Sequence, residues 1–335
     1  RRRHSFPTRR SSDLVLMLAA FVLLCGIWIV TILLSGLKRY KQILMMYALG
    51  YGLTVAAALL ARPWGLNGLM FGFVVGHLVL FVGMWVIVAA GYPSGESLSF
   101  GFFDKKTRYP SLMIIGVLYN LGVWMDKIVF WLYPPTSESI IGPLRASVIY
   151  DLPVFMAYLC ILPGMAVFLV RIETDFVEYY DKFYDAVRSG GSLEYIENMR
   201  DEMVYAIQQG LGEIAKIQTL AVLVTFVAGP ALLDFLGISR LYLPLLQVQV
   251  VGAGLQVGLM AVLNVFFYLD QRRIVVGLCL QFVLLNATLT GYTLLYGAAL
   301  YGYGFALATL FTLGTGLALL TRRLNQLEYQ TFMLQ

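Results

Sequence analysis

VLMLAAFVLLCGIWIVTILLSGLKRYKQILMMYALGYGLTVAAALLA, residues 15–61, is two apolar runs with Lys38, Arg39 and Lys41 between them. Each run is about 20 residues, which as a helix rising ~1.5 Å per residue crosses a ~30 Å hydrocarbon layer. The pattern then repeats. Apolar runs cover residues 15–37, 42–61, 65–91, 109–133, 147–170, 214–236, 241–269, 274–298 and 303–321. They predict an all-α polytopic membrane protein with about nine transmembrane helices. With 59% hydrophobic and 13% charged residues, the chain carries far more apolar sequence than a soluble core requires.

Residues 1–14 stand apart. HSFPTRRSSDL, residues 4–14, looks like a translated sequencing-library adapter, and three arginines precede it. We set this segment aside from the fold. Without its five Arg and Asp13, the formal charge of +5 falls to +1, from 19 basic and 18 acidic side chains. A chain so nearly neutral lacks the basic footprint of a nucleic-acid binder.

The remaining basic residues set an orientation, because cytoplasmic loops retain Lys and Arg. Fifteen fall at alternate junctions: Lys38, Arg39, Lys41, Lys105, Lys106, Arg108, Arg171, Lys182, Arg188, Arg200, Lys216, Arg272, Arg273, Arg322 and Arg323. This places the C-terminus in the cytoplasm. Nine crossings then start the first run outside, so preceding helices are expected, odd in number if the native N-terminus is cytoplasmic.

Chemistry-bearing clusters are scarce. Cys25, Cys160 and Cys279 lie inside apolar runs with no metal-ligand or redox spacing, and His77 is alone in the third run. There is no phosphate-binding glycine loop and no nucleophile elbow. The expectation is a non-enzymatic protein without metal or cofactor.

Charges inside apolar runs carry the functional hint, since an unpaired charge in lipid is costly. Asp126 and Lys127 lie near the outer end of the fourth run, Asp151 near the start of the fifth and Asp234 near the end of the sixth, with Arg145 in the loop between the fourth and fifth. Antiparallel fourth and fifth helices allow a Lys127–Asp151 ion pair, while Asp126 points about 100° round its helix. Pro153 and Pro163-Gly164 predict kinks in the fifth run. Gln256 and Asn264 add amides to the seventh, beside Gln247 and Gln249, and Gln281 and Asn286 do so in the eighth. Such a seam suits hydroxyl-rich cargo as well as helix association. Tyr119, Trp124 and Trp131 on the fourth run offer faces on which a sugar ring can stack. Gly68, Gly72 and Gly76 in the third run mark a close helix contact.

Residues 172–209 form the one long polar segment, with nine acids and three bases. It reads as a cytoplasmic helical hairpin. Phe176, Tyr179, Tyr180 and Phe183 recur at three-and-four spacing, Ser189-Gly190-Gly191 stops the first arm, and Ser192 caps the second. The net negative charge sets it against an anionic lipid surface. Its aromatic stripe is either packing on helix ends or a docking face for a protein.

DKIVFWLYPPTSESIIGPLRASVIYDLPVFMAYLCILPGMAVFLVRIETDFVEYYDKFYDAV, residues 126–187, followed by GGSLEYIENMRDEMV, residues 190–204, resembles the PelG family, the inner-membrane transporters of Pel exopolysaccharide systems. The resemblance extends over residues 15–335. It implies a polysaccharide flippase of the multidrug/oligosaccharidyl-lipid/polysaccharide exporter superfamily, with twelve helices in two lobes and a cytoplasmic N-terminus. The nine runs then correspond to helices 4–12. Residues 15–91 are the remainder of an N-terminal lobe, 92–108 a cytoplasmic linker and 109–335 a six-helix C-terminal lobe. The resemblance further implies export of an N-acetylgalactosamine-rich polymer in biofilm formation, with a cytoplasmic glycosyltransferase, membrane lipid and inner-membrane Pel subunits, one a cyclic di-GMP sensor, as partners. Two alternatives stand beside it, a cation-coupled small-molecule antiporter and a scaffold that recruits the glycosyltransferase.

Overall fold

The computed structural model describes residues 8–92, 109–141 and 143–327. The chain is an all-α multi-pass membrane protein in two compact units, Arg1–Thr107 and Arg108–Gln335. Among the described residues, eight helices are long and apolar enough to cross a bilayer, and a bent pair raises this to nine.

The first unit contains α1 (Thr8–Gly36), α2 (Tyr40–Ala61) and α3 (Leu66–Gly91). Helix α1 starts before the apolar run, in the segment set aside above. Extending a formed helix through residues such as Arg costs little compared with nucleating one. Helix α3 packs on α1 through Leu80 and Met84, against Ile27, Val30 and Leu34. Its other contact is closer. A Cβ at Gly72 would lie 2.3 Å from the Ala58 nitrogen, and one at Gly76 2.6 Å from the Thr54 Cα. The glycines bring the backbones of α2 and α3 together where side chains would hold them apart. His77 takes part in this packing: its ring stacks on Phe73 at 3.8 Å and meets Tyr51 edge-on at 5.7 Å.

The second unit begins with α4 (Pro110–Leu132) and a small hairpin, β1 (Glu138–Ile141) paired antiparallel with β2 (Leu144–Ala146). The fifth run follows as α5 (Val148–Leu159) and α6 (Leu162–Val170), bent by 41° at their junction. Pro163 accounts for the break, because it supplies no N–H to the Leu159 carbonyl four residues back and its ring crowds that carbonyl. In the turn that follows, the Cys160 carbonyl accepts from Gln218 Nε2 at 3.1 Å.

Helix α6 continues through a π-turn, Arg171–Phe176, into α7 (Val177–Arg188). The chain reverses at Gly190, with φ +68°, and Ser192 Oγ accepts the Tyr195 N–H at 3.3 Å. From there α8 (Leu193–Phe235) runs 43 residues without interruption. The second arm of the hairpin and the sixth run are thus one helix, where the sequence reading separates them. Residues 205–216 contain glycines but no proline, so nothing there removes a helical hydrogen bond. Helices α9 (Leu243–Tyr268), α10 (Arg272–Tyr296) and α11 (Tyr303–Leu324) complete the unit around α9, the most buried span.

The hairpin aromatics belong to this core. Phe176 and Phe183 are fully buried, and Tyr179 and Tyr180 are half-buried against the same cluster, which includes Met203, Ile207 and Phe266. Phe176 meets Tyr268 of α9 edge-on at 5.4 Å. This corrects the docking expectation for that stripe. Burying such rings is worth about 1.5–3 kcal/mol each, and the helix ends supply the apolar surface that covers them.

Replacing Gly76 with Leu is expected to destabilise the first unit by about 1–3 kcal/mol, because the new side chain meets backbone that cannot yield. Thermal unfolding of the purified protein tests this. An unchanged midpoint would show that α2 and α3 do not need the close contact.

Candidate functional site: a buried polar seam through α4, α5 and α9

Asp126 and Lys127 are 0% and 5% exposed, about 9 Å from the end of α4 by helical rise. Two adjacent ionisable residues survive there only if their polar atoms are satisfied. Lys127 Nζ donates to both Asp126 oxygens, at 3.2 and 3.3 Å, and to the Val123 carbonyl at 2.9 Å. Tyr150 of α5 donates its hydroxyl to Asp126 Oδ2 at 2.6 Å, and accepts from Gln249 Nε2 of α9 at 2.6 Å. From α10, Asn286 Nδ2 donates to the Gly122 carbonyl at 2.8 Å and lies 3.5 Å from Asp126 Oδ1. Thr290 Oγ1 donates to Asn286 Oδ1 at 2.8 Å. One carboxylate therefore gathers α4, α5 and α10, and α9 joins through Tyr150.

The expected Lys127–Asp151 pair is not made. The lysine side chain folds back along its own helix. Asp151 is occupied elsewhere, accepting Trp131 Nε1 at 2.9 and 3.0 Å and the Ser147 backbone N–H at 2.9 Å. As an N-terminal carboxylate it also meets the positive end of α5. Arg145 closes this end of the site. The β1–β2 register returns it to α4, where Nε donates to the Trp131 carbonyl at 2.9 Å and Nη2 to Ser137 Oγ at 2.8 Å.

On the other side of Lys127 the seam turns aromatic. Its Nζ lies 5.1 Å from the Tyr158 ring centre and 5.0 Å from that of Phe305, within cation–π range. The Tyr158 hydroxyl donates to Gln256 Oε1 at 2.7 Å, and Gln256 Nε2 donates to the Tyr119 hydroxyl at 3.3 Å. Tyr119, Tyr158 and Gln256 are all half-buried. The seam thus offers hydroxyls, an amide and ring faces, and its one cation is matched by a carboxylate. Chemically it can exchange hydrogen bonds with a hydroxyl-rich ligand. Among the described residues no group of His, Cys, Asp and Glu could hold a metal.

The structure brings Tyr119, Asp126, Lys127 and Gln256 together and sets Trp131, Arg145 and Asp151 beside them. Trp124 is half exposed, with its ring 5.9 Å from that of Trp131. Asp234 and Asn264 lie elsewhere. Asp234 forms an exposed ion pair with Arg240, and Asn264 donates to Glu173 in the π-turn. Tyr150 and Tyr158 do not figure in the sequence reading of the site. Their eight-residue separation puts both on one face of α5 with Asp151 next to the first, and that was the available signal.

The family model for PelG, described as "Putative exopolysaccharide Exporter (EPS-E)", matches residues 6–332. No curated protein and no solved structure matches the chain.

Lys127→Ala leaves the Asp126 charge buried without its counter-ion and is expected to cost about 3–5 kcal/mol of stability. Asp126→Asn with Lys127→Gln should recover most of that, whereas Asp151→Ala should add to Lys127→Ala within about 0.5 kcal/mol, since the two side chains share no partner. Denaturation midpoints of the four variants decide it. Rescue of Lys127→Ala by Asp151→Ala would restore the abandoned pair.

Proposed function

The chain belongs to the PelG family of exopolysaccharide exporters, and from that premise we propose that it carries a nascent Pel-type exopolysaccharide, rich in N-acetylgalactosamine, across the bacterial inner membrane as a non-enzymatic conduit or flippase. The observation that carries this reading is the chain of contacts Tyr119–Gln256–Tyr158 beside a charge-compensated Lys127. Sugar hydroxyls can replace the Gln256–Tyr119 contact, which at 3.3 Å lies beyond the usual hydrogen-bond range, at little cost. The tyrosine rings give pyranose faces an apolar platform. Because Asp126 neutralises Lys127, an uncharged polymer meets no strong point charge that would hold it in place. Asp126, Lys127 and Tyr150 set the spacing of α4, α5 and α9, and Arg145, Asp151 and Trp131 fix the adjoining end.

In this reading the C-terminus and the α7–α8 hairpin face the cytoplasm, where a glycosyltransferase delivers the polymer, and membrane subunits including a cyclic di-GMP sensor assemble around the exporter. Cells lacking the chain and complemented with variants provide the test. Gln256→Leu and Tyr158→Phe are each expected to lower secreted polymer about tenfold, the loss of one or two hydrogen bonds, at unchanged membrane abundance. Normal secretion from cells without the chain would sink the proposal. Proton- or sodium-driven flux of small-molecule drugs by the reconstituted protein, with polymer export unaffected, would favour an antiporter on the same fold.

A further inference from the structure

The first unit carries positive charge with nothing of its own to balance it. Residues 14–92 contain no Asp or Glu, and three of their four Lys and Arg residues, Lys38, Arg39 and Lys41, crowd the junction of α1 and α2. Among the described residues none of the three forms an ion pair. A cavity of about 370 Å³ lies at this junction, where α1 ends, α2 begins and α3 ends. Arg39, Gln42 and Tyr92 line it, and Leu34, Val86 and Ile87, which lie further into their helices, supply an apolar wall. The polar lining consists of donors. Arg39 contributes a guanidinium and the half-exposed Tyr92 a hydroxyl. Among the described residues Gln42 makes no side-chain hydrogen bond, and its Oε1 is buried, so Nε2 is the end of the amide left to meet a ligand.

A guanidinium and an amide N–H₂ with no carboxylate beside them suit an anion that accepts several hydrogen bonds, such as a phosphate ester. The apolar wall separates a lipid phosphate from a free one, since a soluble anion gains nothing from Leu34, Val86 and Ile87. Depth agrees with this. All three spans end at this level, and a phospholipid carries its phosphate just beyond the hydrocarbon layer. We propose that the cavity binds the headgroup of one anionic phospholipid, with the phosphate on Arg39 and Gln42 and the start of an acyl chain along the wall formed by α1 and α3. A zwitterionic lipid offers the same phosphate, but its ammonium meets three cations and no carboxylate of the first unit. The anionic lipid is then the counter-ion that residues 14–92 lack.

Native mass spectrometry of the purified chain, in detergent with phosphatidylglycerol or phosphatidylethanolamine, tests the site. One phosphatidylglycerol should stay bound, preferred about fivefold over the zwitterionic lipid. Arg39→Gln should lower its retention by about the same factor. Lys38→Asn with Lys41→Gln removes twice the charge from the junction but leaves the lining intact, and should cost less; Asn suits the positive φ of +57° at Lys38. Gly91→Trp fills the cavity from a position where an added Cβ meets nothing within 4 Å, and should lower retention of either lipid about tenfold. Ala90→Trp, also in the lining, serves if that variant does not fold. Excess inorganic phosphate should leave the lipid in place. Equal retention of the two lipids by the unaltered chain, a loss from the lysine pair as large as that from Arg39→Gln, displacement by phosphate, or undiminished retention by a folded tryptophan variant would overturn the proposal.

Discussion

The Asp126 carboxylate is the constraint around which the second unit is arranged. It sits on α4 with no exposure to solvent and is met by its neighbour Lys127, by Tyr150 from α5 and by Asn286 from α10. Taking a carboxylate and an ammonium out of water costs several kcal/mol per ion, and only a complete set of contacts offsets it. Those contacts demand that α4, α5 and α10 hold specific positions, and Tyr150 extends the demand to Gln249 of α9. Apolar packing in a bilayer does not specify positions in this way, because lipid tails solvate a leucine as well as a neighbouring helix does. The polar seam therefore supplies the specificity that the hydrophobic effect supplies in soluble proteins. The same groups that fix the spacing also adjoin the half-buried Tyr119, Tyr158 and Gln256.

Much of the fold is legible in the sequence because a bilayer imposes a length on every span. The runs at 42–61 and 65–91 coincide within a few residues with α2 and α3, and the break in the fifth run follows from Pro163. The candidate site is less legible. Spacing shows that Lys127 and Asp151 lie in facing helices, but not that a lysine can fold back one residue onto Asp126 while a tryptophan indole takes Asp151. Residue type alone also fails to separate a docking stripe from a packing stripe. Phe176 and Phe183 have the spacing for either, and the apolar ends of α8 and α9 decide it.

The π-turn shows how the hairpin is joined to the seam. Arg171 donates to Glu213 of α8 at 2.6 and 3.0 Å and to Asp175 at 2.6 Å, and Glu173 receives Asn264 and Tyr268 of α9. A wider turn presents these charges on faces that a regular α-helix would point elsewhere, and π-turns concentrate where such re-aiming matters. Helix α9 carries Gln249 and Gln256 further along. One rigid element thus touches the polar hairpin at one end and the seam along its length.

The unbroken course of α8 has a mechanical consequence. At 43 residues it is about 64 Å long, twice the thickness of the hydrocarbon layer, and the hairpin arm is roughly its outlying two-fifths. The Arg171–Glu213 contact clamps it near its midpoint, just beyond the hairpin arm. A helix held there behaves as a lever with its fulcrum at Glu213. A small sideways push on the hairpin then swings the far end, with the Asp234–Arg240 pair, through roughly the same arc in the opposite direction.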